Sequence, residues 1–296
     1  MTDYRWSLEA LAARYELHPK FNEVFVEGET DEGLLQWFFE QHGRDDVLVY
    51  PVTAIHIPEE LITSRHLDAS SRRSDVITLA LELKGRLDND VPVTCIADAD
   101  TEHVLPVGLT SKYLLYTDYT SMEMYAFRPE SVQKLLRIVA PSLSYSGVDV
   151  LSALAGMLVF LFAARAAARA LGWGLSWISF ERVAKTDGAR IVFDDREFLE
   201  RYLNTKGRRA QEAQFRAKMD ELRARFREDP RFNIRGHDFI EALTWYLRKQ
   251  SARSCRHLTS KVTHHVLFAE LGLAELLKEQ LFQSLLRRYP APIRQS

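Results

Sequence analysis

Short apolar runs alternate with segments of helical periodicity over the first part of the chain, and this pattern predicts a sequence of strands and helices. Asn22–Val26 reads Asn-Glu-Val-Phe-Val and stops at Glu27-Gly28. The segment that follows, Thr30 to Phe39, has helical spacing with Thr30 as its expected cap. Val47 to Tyr50 predicts a second strand, and Val76, Leu79, Leu83 and Leu87 recur at three- and four-residue steps, which predicts a helix over 74–87. A third strand is expected over Val91 to Ala97, with Pro92 near its start, where a missing N–H disturbs the ladder least. It runs directly into Asp98-Ala99-Asp100, and a fourth strand is expected within Lys112 to Thr117. Alternation of this kind predicts an α/β class, a mostly parallel sheet with flanking helices.

From Pro129 onward the pattern changes to a large helical region. Helices are expected over 151–171, 206–228, 239–250 and 261–288, with one strand over 189–193. The expected organisation is a core over 1–128, then a mainly helical region over 129–296 that completes the core or contacts a partner or nucleic acid. No repeat and no Gly/Ser-rich hinge separates the two. Val150 to Ala164 carries no charge, but is shorter than the roughly 18–20 residues needed to span a bilayer. It reads as a buried helix and no membrane is expected; a core role outweighs a homodimer or partner contact.

Composition adds limits. With 46% hydrophobic and 27% charged residues the chain is globular and not disordered. Two cysteines, Cys95 and Cys255, do not make a disulfide framework, so a reducing, cytoplasmic setting is expected. The stretch from Met1 to Lys20 is interrupted by Asp3, Arg5, Glu9, Arg14 and Glu16, so no secretory signal is expected. Net charge is −2, yet Arg201 to Ser260 holds 15 Lys or Arg against 7 Asp or Glu. A basic later segment therefore follows an acidic front, as expected if one part gathers metal and the other meets phosphate; a solvated helix explains the basic part equally.

In a parallel sheet the carboxyl ends of the strands form one rim, where ligands bind. Glu27 and Asp98 each follow an apolar strand, and Asp100 lies two residues beyond, which in extended chain returns it to the same face. Carboxylates gathered there repel one another unless a hard cation such as Mg²⁺ accepts them. Asp31, four residues after Glu27, would face the same cavity and complete one metal site or a second. The local alternative is that Glu27 and Asp31 favour a helix N-terminus and that Asp98-Ala99-Asp100 is a polar loop.

Val26-Glu27-Gly28-Glu29-Thr30-Asp31, followed by Ile96-Ala97-Asp98-Ala99-Asp100, resembles the glutamate and Asp-x-Asp motifs of TOPRIM proteins, among them topoisomerases, bacterial primases and overcoming-lysogenization-defect nucleases. Thr117 to Tyr125, a strand leading into Ser121-x-Glu123-x-Tyr125, is similar to TOPRIM-like proteins encoded beside ABC-type ATPases, a group that includes the nuclease subunit of PARIS anti-phage defence systems. Ile234-Arg235-Gly236-His237-Asp238-Phe239 resembles that group's Gly-Lys-Asp step, with His237 in place of the lysine. The resemblance covers roughly residues 20 to 126, and thinly from there to about 250. It implies Glu27 as metal ligand or general acid/base, Asp98 and Asp100 as metal ligands, Glu123 as a further acid beside the site, Mg²⁺ or Mn²⁺ as cofactor, and an ABC-type ATPase as partner.

Other patterns carry less. Cys255-Arg256-His257 with His264-His265 has the wrong spacing for a usual structural zinc site. No Walker loop, dinucleotide fingerprint or Gly-x-Ser-x-Gly elbow occurs. Over 206–228, Phe215, Met219, Leu222 and Phe226 make one apolar stripe, while Arg209, Arg216, Arg223 and Arg227 project on another face. That face either tracks a phosphate backbone or is a solvated surface in which Glu212 and Asp220 pair with Arg216. The expected function is a divalent-metal-dependent nuclease acting on DNA or RNA, catalytic through Glu27, Asp98 and Asp100. The competing reading is a non-catalytic module whose acids bind a cation structurally, or are vestigial, while the helical half docks on an ATPase partner.

Overall fold

The computed structural model describes residues 5–87 and 90–291, so the first four residues of the N-terminal stretch and the last five of the helical region lie outside the described residues. In chain order the elements are β1 (Trp6–Ser7), α1 (Leu8–Leu17), β2 (Asn22–Val26), α2 (Glu29–Gln41), β3 (Val47–Pro51), β4 (Ile55–His56), α3 (Glu59–Thr63), α4 (Arg72–Arg86), β5 (Val93–Ala97) and β6 (Leu114–Tyr116). Then follow α5 (Pro129–Val139), α6 (Gly147–Leu171), β7 (Ala184–Asp187), β8 (Arg190–Phe193), α7 (Asp195–Asn204), α8 (Glu212–Arg223), α9 (Gly236–Gln250), α10 (Ala252–Cys255), α11 (Ser260–Ala269), α12 (Leu273–Leu276) and α13 (Gln280–Arg288). The chain is α/β and forms two compact units. Of the described residues, one unit takes those up to Ala99, Gly108–Asp118 and those from Gly272 onward; the other takes Asp100–Val107 and Tyr119–Leu271.

The first unit is built on a four-stranded parallel sheet of order β3-β2-β5-β6. Val24, Phe25 and Val26 are all buried, because a central parallel strand packs on both faces. Helix α4 turns Val76, Ile77, Leu79, Ala80 and Leu83 into a core shared with Phe25, Cys95 and the α1 residues Leu8, Leu11 and Tyr15. Helix α2 buries Leu34, Leu35, Phe38 and Phe39, and Phe38 meets Phe282 of α13 edge-on, with ring centroids 4.9 Å apart. β1 pairs in parallel with β4 in a separate two-stranded sheet.

Strand order marks the place where open parallel sheets generally bind ligands. The chain passes from β2 outward to β3, then returns to the other side of β2 to form β5. The neighbouring carboxyl ends of β2 and β5 therefore flank a topological switch point, where the two connections leave in opposite directions.

In the second unit the 25-residue α6 packs against α5, α8 and α9. This helix is long and apolar enough to cross a membrane, but 61% of its most apolar window is buried inside the protein, so burial and not shortness accounts for its composition. Its start carries a capping box from Ser146 and Asp149, and Gly172 ends it at φ 64°. Arg165 of α6 grips Asp238 of α9 through two hydrogen bonds of 2.8 and 2.9 Å, with its guanidinium 3.3 Å from the Trp177 ring centroid.

Several boundaries differ from the sequence expectation. Gly28, not Thr30, precedes α2 as its cap. The expected helix over 206–228 is a 3-10 turn at Arg209–Gln211 and then α8, leaving Phe226 outside it. The strand expected over 189–193 is β8, which pairs antiparallel with β7 across Gly188 at φ 56°. The helix expected over 261–288 is three helices, interrupted near Gly272, where the chain leaves the second unit for the first. Cys95 and Cys255 are both buried free thiols.

Candidate functional site

At the switch point of the first unit, Glu27 follows β2 and Asp98 follows β5. Glu27 Oε1 accepts a hydrogen bond of 2.7 Å from the main-chain N–H of Asp98. Two further groups hold the same turn: Arg73 Nε donates to the Asp98 carbonyl at 2.7 Å, and Thr117 Oγ1 accepts from the Ala99 N–H at 2.9 Å. Three side chains arriving from the end of β2, the first turn of α4 and the end of β6 thus fix the two residues after β5. Glu27, Asp31 and Asp98 are all half-buried, and Asp31 lies in the first turn of α2, where the helix dipole favours a carboxylate.

Arg73 was not singled out by sequence reasoning. It is only 7% exposed, which is rare for a charged side chain without polar partners. Its signal is weak: Ser71-Arg72-Arg73-Ser74 reads as a polar helix start, and nothing in the pattern tells the buried arginine from the exposed one beside it.

Asp100 belongs to the second unit. It has φ 47°, in the left-handed region where non-glycine residues are uncommon. Its N–H donates to the Thr120 carbonyl at 2.7 Å, and its Oδ2 accepts from Arg169 at 2.7 Å, while the same guanidinium nitrogen also bonds Thr101 Oγ1 at 2.9 Å. The left-handed turn breaks the extended geometry that the two-residue spacing presumed. The expected grouping of Glu27, Asp98 and Asp100 as metal ligands finds no cluster to match it: among the described residues no three His, Cys, Asp or Glu side chains are assembled as a metal site.

Glu123 sits in the second unit, 4% exposed, in the 3-10 turn Met122–Ala126. Its Oε1 lies 3.3 Å from His237 Nδ1 and 4.0 Å from His264 Nε2. Burial opposes its ionisation, but the two imidazoles and local hydrogen bonds outweigh that, so its pKa falls below the ordinary carboxylate value. Burial lowers His264 below the usual histidine value. His237 of the Gly-His-Asp step is exposed and faces the Glu123 carboxylate.

The arginine face over α8 is largely neutralised. Arg209 pairs with Glu200 at 2.7 Å, Arg216 with Glu212 at 2.8 Å and Arg223 with Asp220 at 3.4 Å. Asp220 therefore serves Arg223 and not Arg216. Arg227 stacks on Phe232, with its guanidinium carbon 4.2 Å from the ring centroid. Three of the four arginines thus sit in surface ion pairs. Of the zinc pattern, Cys255 is buried with its Sγ directed at the Val139 carbonyl, and His257 Nε2 accepts from Arg256.

A search of protein-family models finds no match to the chain, and a search of curated proteins finds none either.

Proposed function

We propose that the chain is a divalent-metal-dependent nuclease with a TOPRIM-like fold, hydrolysing phosphodiester bonds of DNA or RNA at the switch-point crevice of its first unit. The observation that carries this reading is the meeting of Glu27 and Asp98 at the carboxyl ends of adjacent parallel strands, 71 residues apart in sequence. The donor set there suits Mg²⁺ or Mn²⁺, since the side chains are hard carboxylates and Mg²⁺ needs only one or two of them alongside water and substrate phosphate. Glu27 and Asp98 would hold the ion, with Asp31 in reserve on the first turn of α2. A bound divalent ion supplies an activated water and neutralises phosphate charge. Glu27 has a second duty, because the oxygen that accepts the Asp98 amide fixes the direction of the turn carrying Asp98. Arg73, by holding the carbonyl of that residue, acts in the same sense. A role as cytoplasmic effector of an anti-phage system controlled by an ABC-type ATPase rests on the sequence resemblance alone.

The second reading is a non-catalytic binding or regulatory module that docks on an ATPase partner. It is favoured by Arg169, which engages Asp100, the residue the motif assigns to metal. Two measurements separate the readings. Calorimetric titration of Mn²⁺ into wild type and Asp98→Ala should show binding lost in the variant under the nuclease reading. Cleavage of plasmid DNA and structured RNA, in the presence of Mn²⁺, should be absent in both Glu27→Ala and Asp98→Ala. Cutting at equal rates by wild type and both variants would sink the assignment.

A further inference from the structure

At the opposite ends of the same strands, the first unit contains a cavity of about 260 Å³, lined by residues that include Asp90, Thr94, Lys112, Tyr113, Arg288 and Tyr289. It lies where β5 and β6 begin, so it is separate from the lip bearing Glu27 and Asp98. Arg288, the last residue of α13, is half-buried in its wall. Among the described residues its hydrogen-bond partner is Thr94, whose Oγ1 accepts from Nη1 at 3.1 Å, and no carboxylate pairs with it.

A guanidinium withdrawn from water is ordinarily matched by an acid, because desolvating an uncompensated charge is unfavourable. The carboxylate in this wall does not serve that purpose. Asp90 is taken by Lys112, with Oδ1 2.5 Å from Nζ. Among the described residues that line the cavity, one arginine, one lysine and one aspartate leave a surplus positive charge. Burial pushes the Arg288 pKa down, with Tyr289 and Cys95 partly offsetting it, yet an arginine remains a cation at any physiological pH.

The Thr94 oxygen also lies 3.0 Å from the Tyr289 hydroxyl, which itself sits 2.9 Å from the Glu23 carbonyl. This network locks the Thr94 side chain and with it one edge of the guanidinium, so the remaining N–H donors of Arg288 are held in a fixed orientation. A planar fork of fixed orientation suits two oxygens of one anion. The cavity is below the 300–1,000 Å³ typical of pockets that enclose drug-sized ligands, and so fits a small group better than a whole nucleoside.

We propose that Arg288, with Lys112 at the rim and Thr94 as its brace, forms a binding site for a phosphate-sized dianion, either free inorganic phosphate or the phosphate of a nucleotide. The site is independent of the nuclease proposal and stands or falls separately. The test is calorimetric titration of the full chain with inorganic phosphate, 5′-AMP and adenosine at constant ionic strength in chloride, repeated on Arg288→Gln, Arg288→Lys and Lys112→Gln. Wild type should bind phosphate or 5′-AMP saturably and should not bind adenosine. Tighter binding of inorganic phosphate assigns the free ion, and tighter binding of 5′-AMP assigns the monoester. Arg288→Gln should weaken binding by about tenfold or more, Arg288→Lys by less because charge survives without the fork, and Lys112→Gln by a few-fold. The proposal is overturned by absence of saturable binding of both phosphates to wild type, by adenosine binding as well as 5′-AMP, or by unchanged affinity in Arg288→Gln. Should Arg288→Gln not fold by circular dichroism, unchanged phosphate affinity in Lys112→Gln overturns it instead.

Discussion

Glu27 accepts the main-chain N–H of Asp98 at 2.7 Å, so the acid at the end of one strand orients the turn that follows its neighbour. Under the proposed metal-binding reading, Glu27 has two separable functions, one needing an acceptor oxygen and the other needing negative charge. Glu27→Gln keeps an acceptor and loses the charge; Glu27→Ala loses both and leaves the Asp98 amide without its partner. Glu27→Ala should lower stability by about 1–3 kcal/mol while Glu27→Gln stays near wild type, as measured by urea denaturation. Both should abolish divalent-metal binding. Equal stability of all three proteins would mean that the hydrogen bond contributes nothing to the turn.

Arg73 provides the matching anchor on the carbonyl of Asp98. At 7% exposure the guanidinium is buried, and removing it leaves a desolvated carbonyl behind. Arg73→Ala should cost about 1.5–3 kcal/mol, the range for hydrogen bonds to charged groups. It should also weaken Mn²⁺ binding, though Arg73 itself carries the same sign of charge as the ion. Tighter Mn²⁺ binding in Arg73→Ala would show that electrostatic repulsion, and not orientation of the turn, dominates its effect.

Acid should destabilise the second unit through two groups acting in the same direction. His264 is buried and its pKa falls below the usual 6.5, so the unfolded chain takes up a proton that the folded chain refuses. Stability from this group is complete above about pH 6.5 and is lost as pH falls through the lower folded value. Glu123, also depressed, contributes stability above the ordinary carboxylate value and loses it as pH falls further. The free energy of unfolding should therefore fall from pH 7 toward pH 4, with a slope of up to about 1.4 kcal/mol per pH unit for each group, and the melting temperature should fall with it. His264→Gln should flatten the part of that fall that begins near pH 6.5. An unchanged profile would place the acid sensitivity elsewhere, and His103, also lowered by burial, is the next group to substitute.

The strands that carry the candidate site were legible because parallel strands buried on both faces read as unbroken apolar runs. In Asn22–Val26 the signal is the run Val24-Phe25-Val26 that ends at Glu27-Gly28. Glu23 shows the limit of that reading. It lies in the same strand as a polar residue that alternation would turn to solvent, yet it is fully buried, bonded to the Tyr15 hydroxyl at 2.5 Å and to Arg14 at 2.8 Å. Its partners come from α1, an element whose weak amphipathic pattern did not reveal it. Asp100 shows a different limit. Spacing alone presumes an extended chain, and a left-handed residue stabilised by the Thr120 carbonyl and Arg169 leaves no trace in a two-residue interval. The breaks in the segment 261–288 escaped because tertiary packing divides a stretch whose local helical propensity is continuous.

Three glycines give a graded test of packing in the second unit. A Cβ on Gly147 would lie 2.1 Å from the Pro129 carbonyl oxygen and 2.9 Å from the Gln133 nitrogen, both backbone atoms of α5 that cannot rotate aside. A Cβ on Gly236 would meet Ser121 Oγ at 2.1 Å and Glu123 Oε2 at 2.3 Å, side-chain atoms able to move only by disturbing the buried acid and its histidines. Gly156, exposed in the middle of α6, has nothing within 4 Å of the added atom. Gly156→Ala should therefore stabilise by about 0.5–1 kcal/mol through its better helix propensity. Gly236→Ala should cost about 1–3 kcal/mol and change the acid sensitivity of the protein, whereas Gly147→Ala should cost at least as much and leave the pH profile unaltered. Denaturant melts at pH 7 and pH 5 measure all three. A Gly147→Ala protein as stable as wild type would show that α5 and α6 can separate freely, contrary to the close approach on which the assembly of this unit depends.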